Sequence, residues 1–334
     1  VILTSKYTNE DLRDMQQWGL DRKINVTTTR LIEWYKHYEG KCYVSFSGGK
    51  DSTVLADLTA RVCKLFGYKL VLWFSDTGLE YPELKKHTKD YIEYIKHKYD
   101  IDAELIIDYP KDKNGKRITF KDVILNNGYP IISKTISRQI HDVKKLGKDC
   151  WAWRCFDGTE MGIYKMEKWK YVIDAPFKVS NKCCDIMKKT PAKHFTKQSG
   201  LTPIIGTMAS ESKQRKNNWI QNGCNAFEKG NPSSQPISFW TEQDVLKYIK
   251  DFNIPYASVY GDIIQDENGI YKTTGLSRTG CVFCGYGCHL EKEPNRFQRL
   301  KKTHPKLWEY CMKPVSEGGL GMKDVLEYID VKIE

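Results

Sequence analysis

A β-rich run, Cys42-Tyr43-Val44-Ser45-Phe46, passes directly into Ser47-Gly48-Gly49-Lys50-Asp51-Ser52. An apolar, helix-like stretch follows as far as Phe66, and Gly67 is placed to end it. Strand, glycine loop and helix in that order restrict what the chain can fold into. Gly48 and Gly49 let backbone N–H groups turn toward an anion, and the helix that follows brings its positive dipole end to the same place. Lys50 adds a point charge, while Ser47 and Ser52 add hydroxyls, so the six residues read as a cradle for phosphate or sulfate. They are not a Walker A loop, which needs the longer pattern G-x-x-x-x-G-K-S/T.

Further strands are expected at 70–74, 103–107 and 203–205, with a charged amphipathic helix at about 82–96. Strands alternating with helices indicate βαβ units and a doubly wound α/β fold with a parallel sheet, whose ligands sit beyond the carboxyl ends of the strands. The loops at 47–52 and 75–78 lie at such ends, and the strand at 203–205 leads into 206–212. Residues 8–38 read as two helices, the first capped by Thr8 and the second following the Thr27, Thr28, Thr29 cluster into Leu31, Ile32, Tyr35 and Tyr38. Thr241 is a good cap for a helix to about residue 250, and 294–302 is a basic helix-like segment. Between about 111 and 170 the pattern is basic and less regular, which reads as an insertion or lid. The expected organisation is a helical preface over 1–40, an α/β domain over 41–260 that carries the anion cradle and the basic insertion, and a cysteine-rich segment over 261–334 folded back on it.

The net charge of +11 suits anionic ligands such as nucleotides, sulfate esters or nucleic acid. No run approaches 18 apolar residues, so no membrane partner is expected, and the first thirty residues lack the order of a secretion signal. A cytoplasmic location is the expectation. There, eleven cysteines are poor material for disulfides and better suited to metal or catalytic work.

Cys183 and Cys184 are adjacent, 96 residues separate Cys184 from Cys281, and Cys281 to Cys284 is a C-x-x-C. Cys288 is an additional candidate that extends it to C-x2-C-x3-C. Thiolates are the soft ligands that select zinc or iron–sulfur clusters, and four suffice for either. Cys42, Cys63, Cys150, Cys155 and Cys224 read as small buried hydrophobes. Arg138, Lys144, Lys188, Lys189 and Arg215 are candidates for balancing a charged cluster or an anionic ligand.

The loop 47–52 resembles the PP-loop of the adenine nucleotide alpha hydrolase superfamily. Asp76-Thr77-Gly78-Leu79-Glu80-Tyr81-Pro82-Glu83 is similar to the D-T-G-x-E-x-P-E segment of the phosphoadenosine phosphosulfate and adenosine phosphosulfate reductase family. Gly206 with Ser210, Glu211, Ser212 and Arg215 resembles its G-x-x-x-x-E-S-x-x-R segment. Pro236, Trp240, Asp244-Val245 and Tyr248-Ile249 resemble its P-x-x-x-W-x-x-x-D-V-x-x-Y-I helix start. The resemblance implies an adenine nucleotide bound by Ser47, Gly48, Gly49, Lys50, Asp51, Ser52, Asp76, Thr77, Gly78, Glu80, Gly206, Glu211, Ser212 and Arg215. It also implies a 4Fe-4S cluster on Cys183, Cys184, Cys281 and Cys284 near the nucleotide, with zinc as the alternative.

Reductases of this kind use a thiol near the C-terminus, in a Glu-Cys-Gly-Leu-His motif, to attack the sulfate sulfur, with a thioredoxin-like partner. The tail here offers Glu309-Tyr310-Cys311-Met312-Lys313 instead, so Cys311 is a candidate nucleophile that also reads as buried beside Leu307 and Trp308. Three functions are therefore expected. The first is sulfonucleotide reduction. The second resembles DNA phosphorothioation proteins of the DndC type and tRNA thiolation enzymes: ATP-dependent adenylation and sulfur transfer to nucleic acid, with a cysteine-desulfurase donor. Lys50 and Asp51 would then act on the phosphates, and Asp51 or Asp76 would help hold magnesium. The third is a nucleotide-binding iron–sulfur sensor without turnover.

Overall fold

A computed structural model of the chain describes residues 5–159, 165–228 and 230–334. In chain order the elements are α1 (Asn9–Gln17), α2 (Leu20–His37), β1 (Cys42–Ser45), α3 (Lys50–Phe66), β2 (Leu70–Ser75), α4 (Pro82–Tyr99), β3 (Ala103–Asp108), α5 (Phe120–Asn127), β4 (Ile131–Ile132), α6 (Lys134–Leu146) and α7 (Trp151–Asp157). A 3-10 segment, Glu167–Asp174, and a π-turn, Asp185–Lys189, lead to α8 (Thr190–Ser199), β5 (Thr202–Ile205), α9 (Lys213–Asn222), β6 (Asn225–Ala226), β7 (Ser233–Ser234) and α10 (Glu242–Asp251). The last elements are β8 (Ile263–Gln265), β9 (Tyr271–Thr273), β10 (Gly285–Tyr286), α11 (Arg296–Thr303), α12 (Pro305–Met312) and α13 (Met322–Glu327). The chain divides into two compact units, one comprising 1–76, 80–108 and 192–280, the other 77–79, 109–191 and 281–334.

The first unit carries a six-stranded sheet in the order β3-β2-β1-β5-β7-β6, parallel except where the short edge strand β6 runs against β7. This is the α/β sheet expected. Side chains alternate across it: Cys42 and Val44 of β1 with Leu70 and Leu72 of β2 join the main core under α2, α3, α4 and α10. Tyr43, Val71 and Trp73 face the other way, where Phe195 of α8 stacks on Trp73 and meets Tyr43 edge-on. The chain leaves β1 toward β2 and β3 on one side and returns to β5 on the other, so the strand order reverses between β1 and β5.

Thr8 caps α1 as expected, its hydroxyl accepting the Asp11 N–H while the Asp11 carboxylate accepts the Thr8 N–H. The second helix differs from expectation, since it begins at Leu20 and runs through the threonine cluster. Thr27 has another role: its hydroxyl accepts the Trp240 indole N–H at 2.9 Å and donates to the Pro236 carbonyl at 3.1 Å. Asp244 closes a capping box with Thr241 and accepts the buried Lys23 ammonium at 2.6 Å. Tyr248 donates to the buried Asp57 of α3 at 2.7 Å. The conspicuous residues of 236–249 are thus the joints that hold α10 to α2 and α3.

In the second unit the stretch expected to be irregular holds α5, α6 and α7, while 160–164 lie outside the described residues. Ile140 and Val143 of α6 are buried with Val123, Ile124, Phe156 and Val172, and β4 pairs in parallel with β10. Tyr129 donates to the Leu320 carbonyl and the Asn295 amide to that of Lys332, fastening the C-terminal helices. Among the described residues no helix is long and apolar enough to cross a membrane.

His87 of α4 is buried against Phe46 and Tyr91, with Nε2 3.1 Å from the Thr53 hydroxyl of α3. Burial lowers its pKa from 6.5 to about 4, outweighing the upward pull of Asp90. The unfolded chain then binds a proton that the folded chain refuses between those values. Stability is full above about pH 6.5 and falls by about 3 kcal/mol as pH drops toward 4. Urea melts of His87→Gln across that range are expected to show a flatter pH dependence than the parent, and an unchanged slope would contradict the assignment.

Candidate functional site

The expected site residues fall into two groups, one in each unit. In the first unit, β1 ends and the chain turns at Gly48, whose φ is +72°. A Cβ there would lie 2.8 Å from the Thr88 hydroxyl and 3.0 Å from the Leu84 carbonyl, so both conformation and space call for glycine. Gly49 is the N-cap of α3 and offers no side chain to its amides. Hydroxyls serve the turn instead. The Ser47 N–H donates to Ser52 Oγ (3.2 Å), the Gly49 N–H to Ser47 Oγ (3.3 Å), and the Lys50 N–H to the Tyr260 hydroxyl (3.4 Å), which lies 2.6 Å from Thr279 Oγ1. The loop after β5 comes equally close: a Cβ on Gly206 would sit 3.3 Å from Ser52 Cα and 3.4 Å from the Asp51 carbonyl. The two loops flank the point where the strand order reverses, the usual crevice for ligands in such sheets.

Charge is concentrated around this turn. Lys50 does not project freely; its ammonium donates to the Ser277 carbonyl at 2.5 Å and pairs with Glu242 at 2.8 Å. Glu211 holds two guanidiniums, Arg215 on Oε2 and Arg278 on Oε1 at 2.9 Å, while Oε2 also accepts the Met208 N–H. Burial and the neighbouring Arg278 lower the Arg215 pKa, and Asp51 opposes them. Asp51 is the exception among these groups. Its Oδ1 is buried without a hydrogen-bond partner, and burial raises its pKa against the pull of Lys50, Arg278 and Arg215. Ser75, the last residue of β2, also buries an unpartnered hydroxyl. Buried polar atoms are nearly always satisfied, so these two, one in the first turn of α3 after β1 and one at the end of the adjacent β2, make this a candidate place for a ligand.

Other expected residues are more committed. Asp76 accepts the Lys85 ammonium at 2.5 Å, and Ser212 caps α9 by accepting the Arg215 N–H. Glu80 is half-buried ahead of α4. Sequence reasoning missed Ser75, Glu242, Tyr260, Ser277, Arg278 and Thr279. None belongs to a local pattern, although Arg278 stands three residues before Cys281.

The second unit holds the cysteines. Cys183 and Cys184 precede the π-turn, a backbone form frequent at functional sites. Cys281 to Cys284 is a tight turn closed by the Cys284 N–H on the Cys281 carbonyl, and the adjoining Gly285 and Tyr286 form β10. Burial pushes the Cys183 thiol well up, and Cys281, Cys184 and Cys284 push it further. Cys284 is likewise raised to about 11, by burial and then by Cys281, with Cys184 contributing. The four thiols therefore lie within electrostatic reach of each other. Cys288 is raised to about 12 by burial and donates to the Gly285 carbonyl at 3.0 Å. Among the described residues, no three His, Cys, Asp or Glu side chains stand arranged to hold a single metal ion.

Thr77 and Gly78 belong with this group. Thr77 Oγ1 accepts the Leu79 N–H, and the Leu79 carbonyl accepts the N–H of Val282, inside the C-x-x-C. Of the candidate balancing cations, Arg138 pairs with Asp142, Lys189 with Asp185, and Lys144 donates to the Ala175 and Phe177 carbonyls. Cys311 is fully buried in α12, and burial alone raises its pKa far up, the setting of an inert thiol.

A family model described as "Phosphoadenosine phosphosulfate reductase domain" matches residues 41–148 and 158–285, well over half of the chain. Comparison with curated proteins gives no match. Among solved structures, the chain is similar to NMN synthetase from Francisella tularensis, at 12% identity over 72% of this chain and 73% of that one, with a TM-score of 0.36. It is also similar to the U34-tRNA thiolase NcsA from Methanococcus maripaludis with its 4Fe-4S cluster, at 15% identity over 71% of this chain and 66% of that one, with a TM-score of 0.34. At these scores neither likeness bears on function.

Gly48→Ala and Gly67→Ala separate conformation from crowding, because both glycines have positive φ and only Gly48 has neighbours within reach of a Cβ. Gly67→Ala is expected to lose about 1 kcal/mol in urea melts, and Gly48→Ala about 1–3 kcal/mol more. Equal losses would mean that Thr88 and Leu84 give way.

Proposed function

The chain belongs to the phosphoadenosine phosphosulfate reductase domain family, and from that premise we propose that it binds ATP at residues 47–52 and performs sulfur transfer by the adenylating route. In this reaction an acceptor oxygen attacks the α-phosphorus, the bond from that phosphorus to the bridging oxygen breaks, and pyrophosphate leaves. A donor at the sulfide level then displaces AMP from the acceptor. The observation that carries the reading is the buried, unpartnered Asp51 Oδ1. A bare carboxylate oxygen repels a sulfate or phosphate group, whereas it suits a nucleotide that arrives with a divalent cation.

The surrounding charges support the same choice. Lys50, Arg215 and Arg278 are offset one for one by Asp51, Glu211 and Glu242, so the cluster has no excess positive charge for a polyphosphate. Magnesium held by Asp51, and by Asp76 if Lys85 releases it, would neutralise charge developing on the departing pyrophosphate. The residues of this chain supply the rest. Amides of 47–50 exchange their hydroxyl partners for phosphate oxygens, and Arg215 and Arg278 turn from Glu211 toward the phosphates. The sulfonucleotide-reducing reading needs a thiol that reaches the nucleotide's sulfur, and the burial of Cys311 weighs against it.

Cys183, Cys184, Cys281 and Cys284 fit a 4Fe-4S cluster. A single ion needs donors at about 2.3 Å from one point, while a cubane offers each thiolate its own iron and accepts wider spacing. Such a cluster would supply electron transfer or a site for sulfur. Anaerobically purified protein is expected to contain iron and acid-labile sulfide in equal amounts and to lose both in Cys183→Ala or Cys281→Ala. Iron-free, zinc-loaded protein would overturn this assignment.

The reaction itself is tested by incubating the protein with ATP, adenosine phosphosulfate or its 3′-phosphorylated form. ATP with magnesium should yield pyrophosphate, and Asp51→Asn should lower that rate by roughly a hundredfold or more without changing the melting profile. Sulfite release from a sulfonucleotide, with no pyrophosphate from ATP, would replace this reading with the reducing one.

A further inference from the structure

We infer that the surface formed by α6, α7 and residues 167–174 of the second unit is a binding site for single-stranded nucleic acid. These three elements pack on one another. Their outer side carries Lys144, Lys145, Lys148, Arg154, Lys168 and Lys170, all exposed. Among the described residues, Lys145, Lys148, Arg154, Lys168 and Lys170 have no carboxylate partner within salt-bridge distance; of the acids on these elements, Asp142 pairs with Arg138, Glu167 with Lys165, and Asp157 accepts from Thr159, while Asp149 follows Lys148 and Asp174 faces Lys144, leaving the cations in excess.

Aromatic rings are interleaved with the cations. The Lys148 and Lys170 ammoniums lie 4.9 and 5.0 Å from the centre of the Trp153 ring, and Lys168 lies 5.1 Å from that of Trp169. Trp151 is 47% exposed beside them, with Tyr171 at 40% and Leu146 at 63%. Cations steadied over rings present charge at fixed points, and exposed rings offer faces on which unpaired bases stack. A duplex hides those faces, so a single strand is the form of polyanion that uses both features. A membrane surface is the weaker match: the apolar side of α6, with Ile140 and Val143, is buried inward, and its outer side is lysine-rich.

The surface adjoins the thiols of the same unit. Trp169 meets His289, the neighbour of Cys288, edge-on at 5.0 Å. On the inner side, Ser137 of α6 donates to the Ile131 carbonyl of β4, the strand that pairs with β10 just after Cys284. A strand lying across α6 and α7 would pass beside the cysteine turn. The inference stands apart from the adenylating reaction, since binding is measured without ATP.

The test is fluorescence anisotropy with labelled single strands of about 12 nucleotides, RNA and DNA in separate arms, as potassium chloride is raised from about 50 to 200 mM. Three or four phosphate contacts predict affinity falling between about 20- and 50-fold over that range. Lys148→Ala with Lys170→Ala should weaken binding about tenfold and lower the salt slope by about 1.4. The charge-matched control, Lys193→Ala with Lys197→Ala in the first unit, should bind as the parent does. Trp151→Ala should weaken single-strand binding about tenfold and leave heparin binding unchanged. Should the double alanine variant melt low, Lys148→Gln with Lys170→Gln carries the measurement. Preference for either sugar supports the inference and names the source. Oligonucleotide binding indifferent to these variants, or capture by phosphatidylserine vesicles in place of oligonucleotides, overturns it.

Discussion

A carboxylate buried inside the first unit fixes where the anion loop lies. Asp57 of α3 is fully buried, and every contact that makes its charge tolerable comes from a residue that also positions a helix. Tyr99 and Lys98 of α4 donate to Oδ1 at 2.8 and 3.1 Å, while Tyr248 of α10 and Arg61 of α3 itself donate to Oδ2 at 2.7 and 3.2 Å. Removing one partner from such a group typically costs about 3–5 kcal/mol, because the remaining charge cannot return to water. With twelve of its 17 residues buried, α3 has little freedom to slide or rotate. Its first turn is therefore held against the end of β1, and the backbone between them has only Phe46, Ser47, Gly48 and Gly49 in which to turn.

That constraint explains why the site's charges are spoken for. A helix N-terminus concentrates unpaired amides, and clustered cations beside it would repel each other and weaken the fold. Glu242 on Lys50 and Glu211 on Arg215 and Arg278 relieve that repulsion, and the Ser47, Ser52 and Tyr260 hydroxyls occupy the amides. Asp51 Oδ1, in contrast, is buried without a hydrogen-bond partner.

What the sequence discloses follows from how local each cause is. The start of α3, the parallel strands and the Thr8 and Thr241 caps are legible because strand propensity, glycine placement and capping act over a few neighbouring residues. The pairing of Lys50 with Glu242 and Ser277 is not, for it joins positions some two hundred residues apart through the fold. Thr27 misleads for a related reason: a threonine cluster is locally a good helix start, yet the hydroxyl is claimed by Trp240, 213 positions away. Helix α6 carries lysines on its outer side and α7 spans only seven residues, so the apolar periodicity of each is brief and reads as irregular. The resemblance that points to residues 236–249 identifies conspicuous side chains correctly in place but gives no sign that Trp240, Asp244 and Tyr248 serve packing.

In the second unit, the cysteine turn is supported by a backbone under strain. Ile132 has φ of +62°, a conformation that costs a β-branched residue on the order of 1–3 kcal/mol. It persists because its carbonyl accepts the Gly287 N–H and because β4 pairs with β10, immediately after Cys284. Gly285 permits that pairing, since a Cβ there would lie 2.9 Å from the Pro130 carbonyl. Arg296 adds a second brace, donating to the Cys284 carbonyl while Glu291 neutralises it. A turn that presents thiols only needs to be short; one braced on two sides, at the expense of a left-handed isoleucine, is built to keep Cys281 and Cys284 from relaxing apart. Such bracing holds the Cys281–Cys284 turn against the repulsion that nearby thiols would exert on one another if ionised, so the strain at Ile132 belongs to the fixing of this turn.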